Sequence, residues 1–583
     1  MKRKRLLGDW VSDLALASFF PTIFLLSVPL ELYLGNPGEF PDDVLHPYWL
    51  AFCAIMGVLW LLSIALSPTW RCRLSRLFFF IGMFLYLSQI LVPVRMSSLI
   101  GMENQPKVLE PFSAILLQLL ILALLVCGFI WLPQKLLRTM GGAMAICILA
   151  LLLVKFAAAK CHSDNPIPAS SEKIAYPAPQ APKSDGNIYR LLFDGFSSQE
   201  FAAAFPTSKH QGALKDFLFY NENRSNYLWT LPSVVCCKTG SFFKGGNMRK
   251  WISKTSTPTI TKRLMKAGWI VSSYGNPMPW ISEPVHRNVS FADANRIQQN
   301  SQDRILHDLH FADLCLLRLV PVPWRKNVYD RGMGLLSRHY GRKGAFRSDH
   351  LRIGTALNVF RTLLAEEKLR GPKGHYVEAH INIPHVPWVL DGELVYHPER
   401  TTYYDQIQAC LNLVSQFVSE LKRLGHYDNA TIMIHSDHGL SSRKNDLPIV
   451  ATYMTGEIMS RIDAMIKRPG FNSKKMEQFS RSLMLIKPAH RSAPRLIISP
   501  RETQTADIAA TIFSLAGLSI ANENGQSILS DSFPVQREIH IFEGFVQPGG
   551  KLAIRIPRCE MNHFSFTKGI GWKIYTAIPV VND

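Results

Sequence analysis

Four short segments hold residue types that could do chemistry together: Leu192–Gly195 (LFDG), Ser225–Gly240 (SNYLWTLPSVVCCKTG), Pro384–Pro387 (PHVP) and His435–Leu440 (HSDHGL). Each has an ordinary explanation when taken alone. Asp194–Gly195 reads as a turn, Thr230 as a helix N-cap, and His385, set between prolines, as a structural histidine. The pair Asp437–His438 directly after an apolar run is more specific. Asp194, His385 and Asp437–His438 all fall just past the ends of predicted strands. In open α/β sheets ligands bind outside the carboxyl ends of the strands, so residues far apart in the chain converge there.

The elements that would position them follow from the apolar pattern. From Asn187 onward short apolar strands alternate with helical stretches, which predicts an α/β fold with a mainly parallel sheet. Strands are expected at 187–193, 269–273, 375–383, 431–435 and 483–486, and helical segments at 262–267, 347–367, 402–424 and 505–516. Residues 539–578 lean towards strand without a readable role. His380 and His435 lie within strands and read as packing or supporting groups. Cys236 and Cys237 fall inside the helix that Thr230 opens, where buried thiols are the default.

The N-terminal 160 residues have a different character. After MKRKR come apolar runs at about 11–34, 48–66, 77–94, 112–133 and 142–159, each near the ~20 residues that cross a bilayer. Five spans is the economical count, with four spans and a buried fifth helix as the alternative. The first run is too long for a cleaved signal peptide. Lys2, Arg3, Lys4, Arg5, Arg71, Arg73, Arg76, Lys135 and Arg138 would all fall on one side, so the positive-inside rule places the N-terminus in the cytoplasm. Five spans then put everything beyond Lys160 outside. Residues 161–186, rich in Pro, Ser, Ala and Lys, read as a tether, and 187–583 as the catalytic domain.

The chain has 583 residues, a formal net charge of +20 and 47% hydrophobic residues. That charge suits anionic lipid or glycan; no nucleic-acid-binding motif accompanies it, which argues against such a partner. Four of the ten cysteines (Cys53, Cys72, Cys127, Cys147) lie in the apolar part and six follow it, without zinc-finger spacing. Sequence leaves their pairing open.

Thr230, Pro232, Ser233, Thr239 and Gly240 fall in the order T-x-P-S-x5-T-G, which resembles the C-x-P-S-R-x4-T-G of sulfatases. With LFDG, PHVP and HSDHGL, the chain resembles the alkaline phosphatase–sulfatase superfamily. With the anchor, it is similar to its membrane-bound bacterial branch, the phosphoethanolamine transferases and lipoteichoic acid synthases. The resemblance makes Thr230 the nucleophile, an alcohol that needs activation, and implies one divalent metal held by Asp194, Thr230, Asp437 and His438. An oxygen-rich set with one imidazole suits zinc or manganese. His385 would contact the phosphoryl group or protonate a leaving group.

There are departures. The five-span transferases usually have glutamate where Asp194 stands and glycine-serine where Ile383–Pro384 stand. Val234 replaces the arginine of the sulfatase motif. Thr230 cannot become formylglycine, which argues against sulfate ester cleavage, and the further D-x3-H pair of two-zinc phosphodiesterases is not found. The resemblance implies a phosphotransferase of the bacterial inner membrane. Its periplasmic domain would pass a phospholipid headgroup phosphate through phosphothreonine to an envelope glycan or glycolipid such as lipopolysaccharide. A membrane-tethered phosphodiesterase or sulfatase-like hydrolase, and an inactive envelope scaffold, are the alternatives.

Overall fold

The structure, a computed structural model, describes residues 2–35, 42–92, 111–139, 186–247, 259–275, 285–298, 301–330, 333–341, 348–386, 388–397, 400–440, 473–520, 524–545 and 558–575, with isolated positions elsewhere. By contacts it divides into two compact units. One joins Met1–Ala169 to Gln299–Ser348, and the other joins Ser170–Gln298 to Asp349–Asp583. The segment 299–348, which the sequence places inside the catalytic domain, thus packs with the N-terminal helices.

In the first unit, α1 (Lys2–Pro21) continues through a π-helical turn at Thr22–Ser27 into α2 (Val28–Gly35). Then come α3 (His46–Ala65), α4 (Pro68–Leu91) and α5 (Pro111–Trp131). Among the described residues four helical segments are long and apolar enough to cross a membrane: Asp9–Leu34, Asp43–Ala65, Pro68–Leu91 and Phe112–Trp131. α4 starts nine residues before the apolar run at 77, because Arg71, Arg73 and Arg76 form its first turns. The fifth expected span, 142–159, lies mostly outside the described residues, as does the expected tether. Asp13, fully buried, ties the basic flanks together: Arg138 Nε donates to its Oδ1 at 2.8 Å and Arg71 Nε to its Oδ2 at 3.3 Å.

The second unit is built on an eight-stranded sheet. Its strands are β1 (Ile188–Phe193), β2 (Leu218–Tyr220), β3 (Ile270–Tyr274), β4 (Arg287–Val289), β5 (His375–Ile381), β6 (Thr431–His435), β7 (Met484–Lys487) and β8 (Ile497–Ser499). They lie in the order β8-β2-β7-β6-β1-β5-β3-β4. β1 pairs in parallel with both β5 and β6, and only β7 runs against its neighbours. The central strands are buried on both faces, as their near-continuous apolar runs require. The helix Tyr403–Arg423 covers one face with an apolar stripe and begins at a capping box of Thr402 and Asp405. On the other face lies α6 (Thr230–Thr239), ended by Gly240 in the left-handed conformation (φ 68°), whose N–H donates to Cys236 O at 2.6 Å.

The β-leaning C-terminal piece is an antiparallel sheet of β9 (Ile539–Phe545), β10 (Arg558–Thr567) and β11 (Gly571–Ile574). Leu228 packs against Ile539, Ile541 and Phe564 in this sheet, and the Tyr227 ring stacks on Phe542 at 5.4 Å. The segment leading into α6 is therefore held from both sides. The first unit also contains α7 (Ser301–Leu319), α8 (Val322–Val328) and a short helix at Leu335–Gly341.

Candidate metal centre and active site

β1, β5 and β6 end side by side, and the segments that leave them carry Asp194, His385 and Asp437–His438. The turn after β1 is shaped by Gly195 at φ +69°; a Cβ there would stand 2.6 Å from Leu440 Cδ1. Its N–H donates to Asp437 Oδ1 at 3.0 Å, while the Tyr403 hydroxyl donates to Gly195 O at 2.7 Å and accepts from Ser197 N–H at 2.9 Å. Ser436 Oγ accepts from Phe196 N–H at 2.7 Å and donates to His438 O at 2.7 Å. The two ligand-bearing turns are thereby fixed to each other.

α6 joins the same corner. Trp229, not Thr230, takes the N-cap position, and no side chain caps the helix. Thr230 is the first helical residue, so its hydroxyl is not used for capping. Its Oγ1 lies 3.4 Å from His438 Nε2. Ser233, one turn on, donates to Asp437 O at 2.6 Å, and the Ser225 hydroxyl bonds the same carbonyl.

All four expected ligands meet around His438 Nε2, with Asp437 Oδ2 at 3.4 Å and Asp194 Oδ1 at 3.7 Å. His385, expected to act on the phosphoryl group, has a ring nitrogen within 4.8 Å of Asp194 and His438 ligand atoms, so it stands beside them. Asp194 Oδ1 and Asp437 Oδ2 are buried with no hydrogen-bond donor. The His438 Nδ1–H donates to Gly439 O at 2.9 Å, which leaves Nε2 as a lone-pair donor. Two orphaned carboxylate oxygens facing an imidazole lone pair fit a divalent cation.

The electrostatics draw positive charge to this corner. Burial opposes ionisation of Asp194, but His385 and then His380 and His438 outweigh it and hold the carboxyl well below its usual range. Burial likewise disfavours charge on His438, yet Asp437 and Asp194 raise its pKa. His380, assigned a supporting role from its strand position, makes an Nε2 contact of 3.3 Å to Asp194 Oδ2. Burial pushes the Cys236 thiol well up and that of Cys237 up to about 12.

A charged group behind the site was not legible in the sequence. Lys238 Nζ donates to Glu378 Oε1 at 2.7 Å, Arg190 Nη1 to Glu378 Oε2 at 2.9 Å, and Arg190 Nε to His435 Nε2 at 3.0 Å. Arg190 and Asp194 share one face of the chain at period two, as do Glu378 and His380, which is the signal that pairs them. Val234, standing where sulfatases have arginine, lies one helical turn before Lys238, and both line a cavity of ≈ 20 Å³ with Arg190, Glu378 and His380.

Residues 336–518 match the sulfatase family model. The α/β unit is sulfatase-like over that stretch. The match contains His385, Asp437 and His438, and Asp194 and Thr230 precede it. Sulfatase-family proteins are hydrolases or transferases of the alkaline phosphatase/sulfatase superfamily and use a divalent metal. Similar solved structures include a phosphonate monoester hydrolase of Agrobacterium radiobacter, at 11% identity and TM-score 0.38, over 67% of this chain and 88% of that one. A protein of glycosaminoglycan metabolism from Bacteroides thetaiotaomicron has 14% identity and TM-score 0.39, over 67% and 89%. The lipoteichoic acid synthase LtaP of Listeria monocytogenes has 12% identity and TM-score 0.37, over 68% and 87%. A search of curated protein sequences finds no match.

Proposed function

We propose that this chain is a metal-dependent phosphotransferase that moves a phospholipid headgroup phosphate, phosphoethanolamine or phosphoglycerol, onto a cell-envelope glycan or glycolipid. The observation that carries the reading is the meeting of an uncapped, helix-opening hydroxyl, Thr230, with two orphaned carboxylate oxygens and the His438 lone pair. A divalent cation, zinc or manganese, would lower the pKa of the Thr230 hydroxyl and polarise the phosphoryl oxygens. Asp194, Asp437, His438 and Thr230 would hold it.

Thr230 Oγ1, its proton given up to solvent, attacks the phosphorus of the lipid phosphodiester, and the bond from phosphorus to the diacylglycerol oxygen breaks. His385 gives that departing oxygen its proton. In the second half an acceptor hydroxyl loses its proton to His385 and attacks phosphothreonine, which releases Thr230. The four apolar helices favour a donor presented in the membrane. In this reading residues 142–159 form a fifth span, the basic flanks face the cytoplasm of a bacterial inner membrane, and the sulfatase-like domain is periplasmic. The test is full-length protein in vesicles with headgroup-labelled phosphatidylethanolamine or phosphatidylglycerol and lipopolysaccharide. Label on the glycolipid together with free diacylglycerol supports transfer; label released only as a soluble phosphate monoester makes the protein a hydrolase instead.

A further inference from the structure

The segment Gln299–Ser348 leaves the second compact unit to pack with the apolar helices. α7 sends Phe311, Leu314, Cys315 and Leu319 into the core of that unit, beside Leu30, Phe40 and Val44. The Phe311 ring meets Phe40 edge-on at 4.8 Å. α8 is then pinned to two membrane helices. Val322 N–H donates to Gln118 Oε1 at 2.8 Å, and Arg325 Nη2 donates to Val92 O at 2.7 Å. Gln118 stands seven residues into α5, about 10 Å from its start. α8 therefore lies below the tips of α4 and α5, at the end of the bundle opposite Arg71 and Arg138.

Most of the exposed aromatic side chains described in this bundle lie near its two ends. Trp70 and Trp131 are at the basic end, with Trp60 about a turn and a half inside it on α3; Trp49, Phe112 and Trp324 are at the other. Phe112 and Trp131 are nineteen residues apart on α5, about 28 Å, close to the ~30 Å of a hydrocarbon core. Indole rings favour the headgroup level, where an apolar body and a polar N–H are both satisfied. Trp324 is 61% exposed at that level.

We infer that Trp324 sits in the headgroup layer of the leaflet opposite the basic flanks, so that α7 and α8 form a membrane-interface element inserted between the two sequence segments of the second unit. The partner is a phospholipid surface, argued from continuity with the lipid-facing helices and from the shared aromatic level. This inference rests on the helices crossing a bilayer and not on the transferase reading.

The test is site-specific photo-crosslinking of the full chain in vesicles of phosphatidylethanolamine and phosphatidylglycerol. The substitution Trp324→p-benzoylphenylalanine is compared with the same change at Phe112, on α5, and at Ile570, exposed in the other unit. Lipid-mass adducts at 324 and 112, with far less at 570, are expected. An adduct to peptide at 324, from this chain or a second copy, or no adduct where 112 gives one, overturns the inference. Pro323→p-benzoylphenylalanine, also exposed, gives a second reading should the first variant misfold.

Discussion

Thr230 opens α6 with its hydroxyl 3.4 Å from His438 Nε2 and no capping duty. Its replacement should therefore cost chemistry and spare the fold. Thr230→Ala should lower headgroup transfer by at least about 10³-fold with thermal unfolding unchanged, whereas Thr230→Ser should retain part of the activity. His380 contacts Asp194 from behind, so His380→Ala should weaken metal binding by roughly 10–100-fold; titration of metal-free protein measures it. Asp437, His438 and Thr230 could be found in the sequence because each belongs to a short motif with fixed spacing. Asp194 was legible only through its strand end, since Asp-Gly alone is a turn. His385 was found, but its nearness to the ligand atoms was not, because a loop of prolines reveals nothing about which way its histidine faces.

At the scale of the element, α6 is held to the sheet at both ends. Ser233 donates to Asp437 O near its start, and Lys238 pairs with Glu378 at its end. Glu378→Gln would leave Arg190 and Lys238 buried without their counter-charge, at a cost of about 3–5 kcal/mol, read as a lowered unfolding temperature. The sign of the pH dependence follows from the same group. Burial raises the Glu378 pKa, but Lys238 and then Arg190 outweigh it, so the folded value is depressed. Its stabilisation is present above the unfolded value, about 4.3, and is lost as pH falls through the folded one. The gap in unfolding temperature between wild type and Glu378→Gln should be constant near neutral pH and narrow only below that value. The long strands and the helices 348–367 and 403–423 were legible from their period. The short strands at 218–220, 287–289 and 497–499 were not, because three residues carry no period. α7 has a clear amphipathic pattern, but its partners are the apolar helices, which no local pattern announces.

At the scale of the whole molecule, the account joins a membrane bundle to a sulfatase-like domain in one chain. With five spans, a cysteine placed at exposed Ile570 should react with a membrane-impermeant maleimide once the outer membrane is permeabilised. Protection until the inner membrane is lysed would mean an even number of spans. Composition made the four apolar helices legible, and the basic flanks set the expected direction; the return of 299–348 to the helices depends on tertiary packing, which no local pattern announces. The central claim is covalent catalysis at Thr230. Its most direct test is the intact mass of the purified full chain after incubation with phosphatidylethanolamine or phosphatidylglycerol and a divalent metal. The account predicts a headgroup-phosphate adduct on wild type and none on Thr230→Ala. Unmodified wild type, with no diacylglycerol released from either lipid, would contradict it.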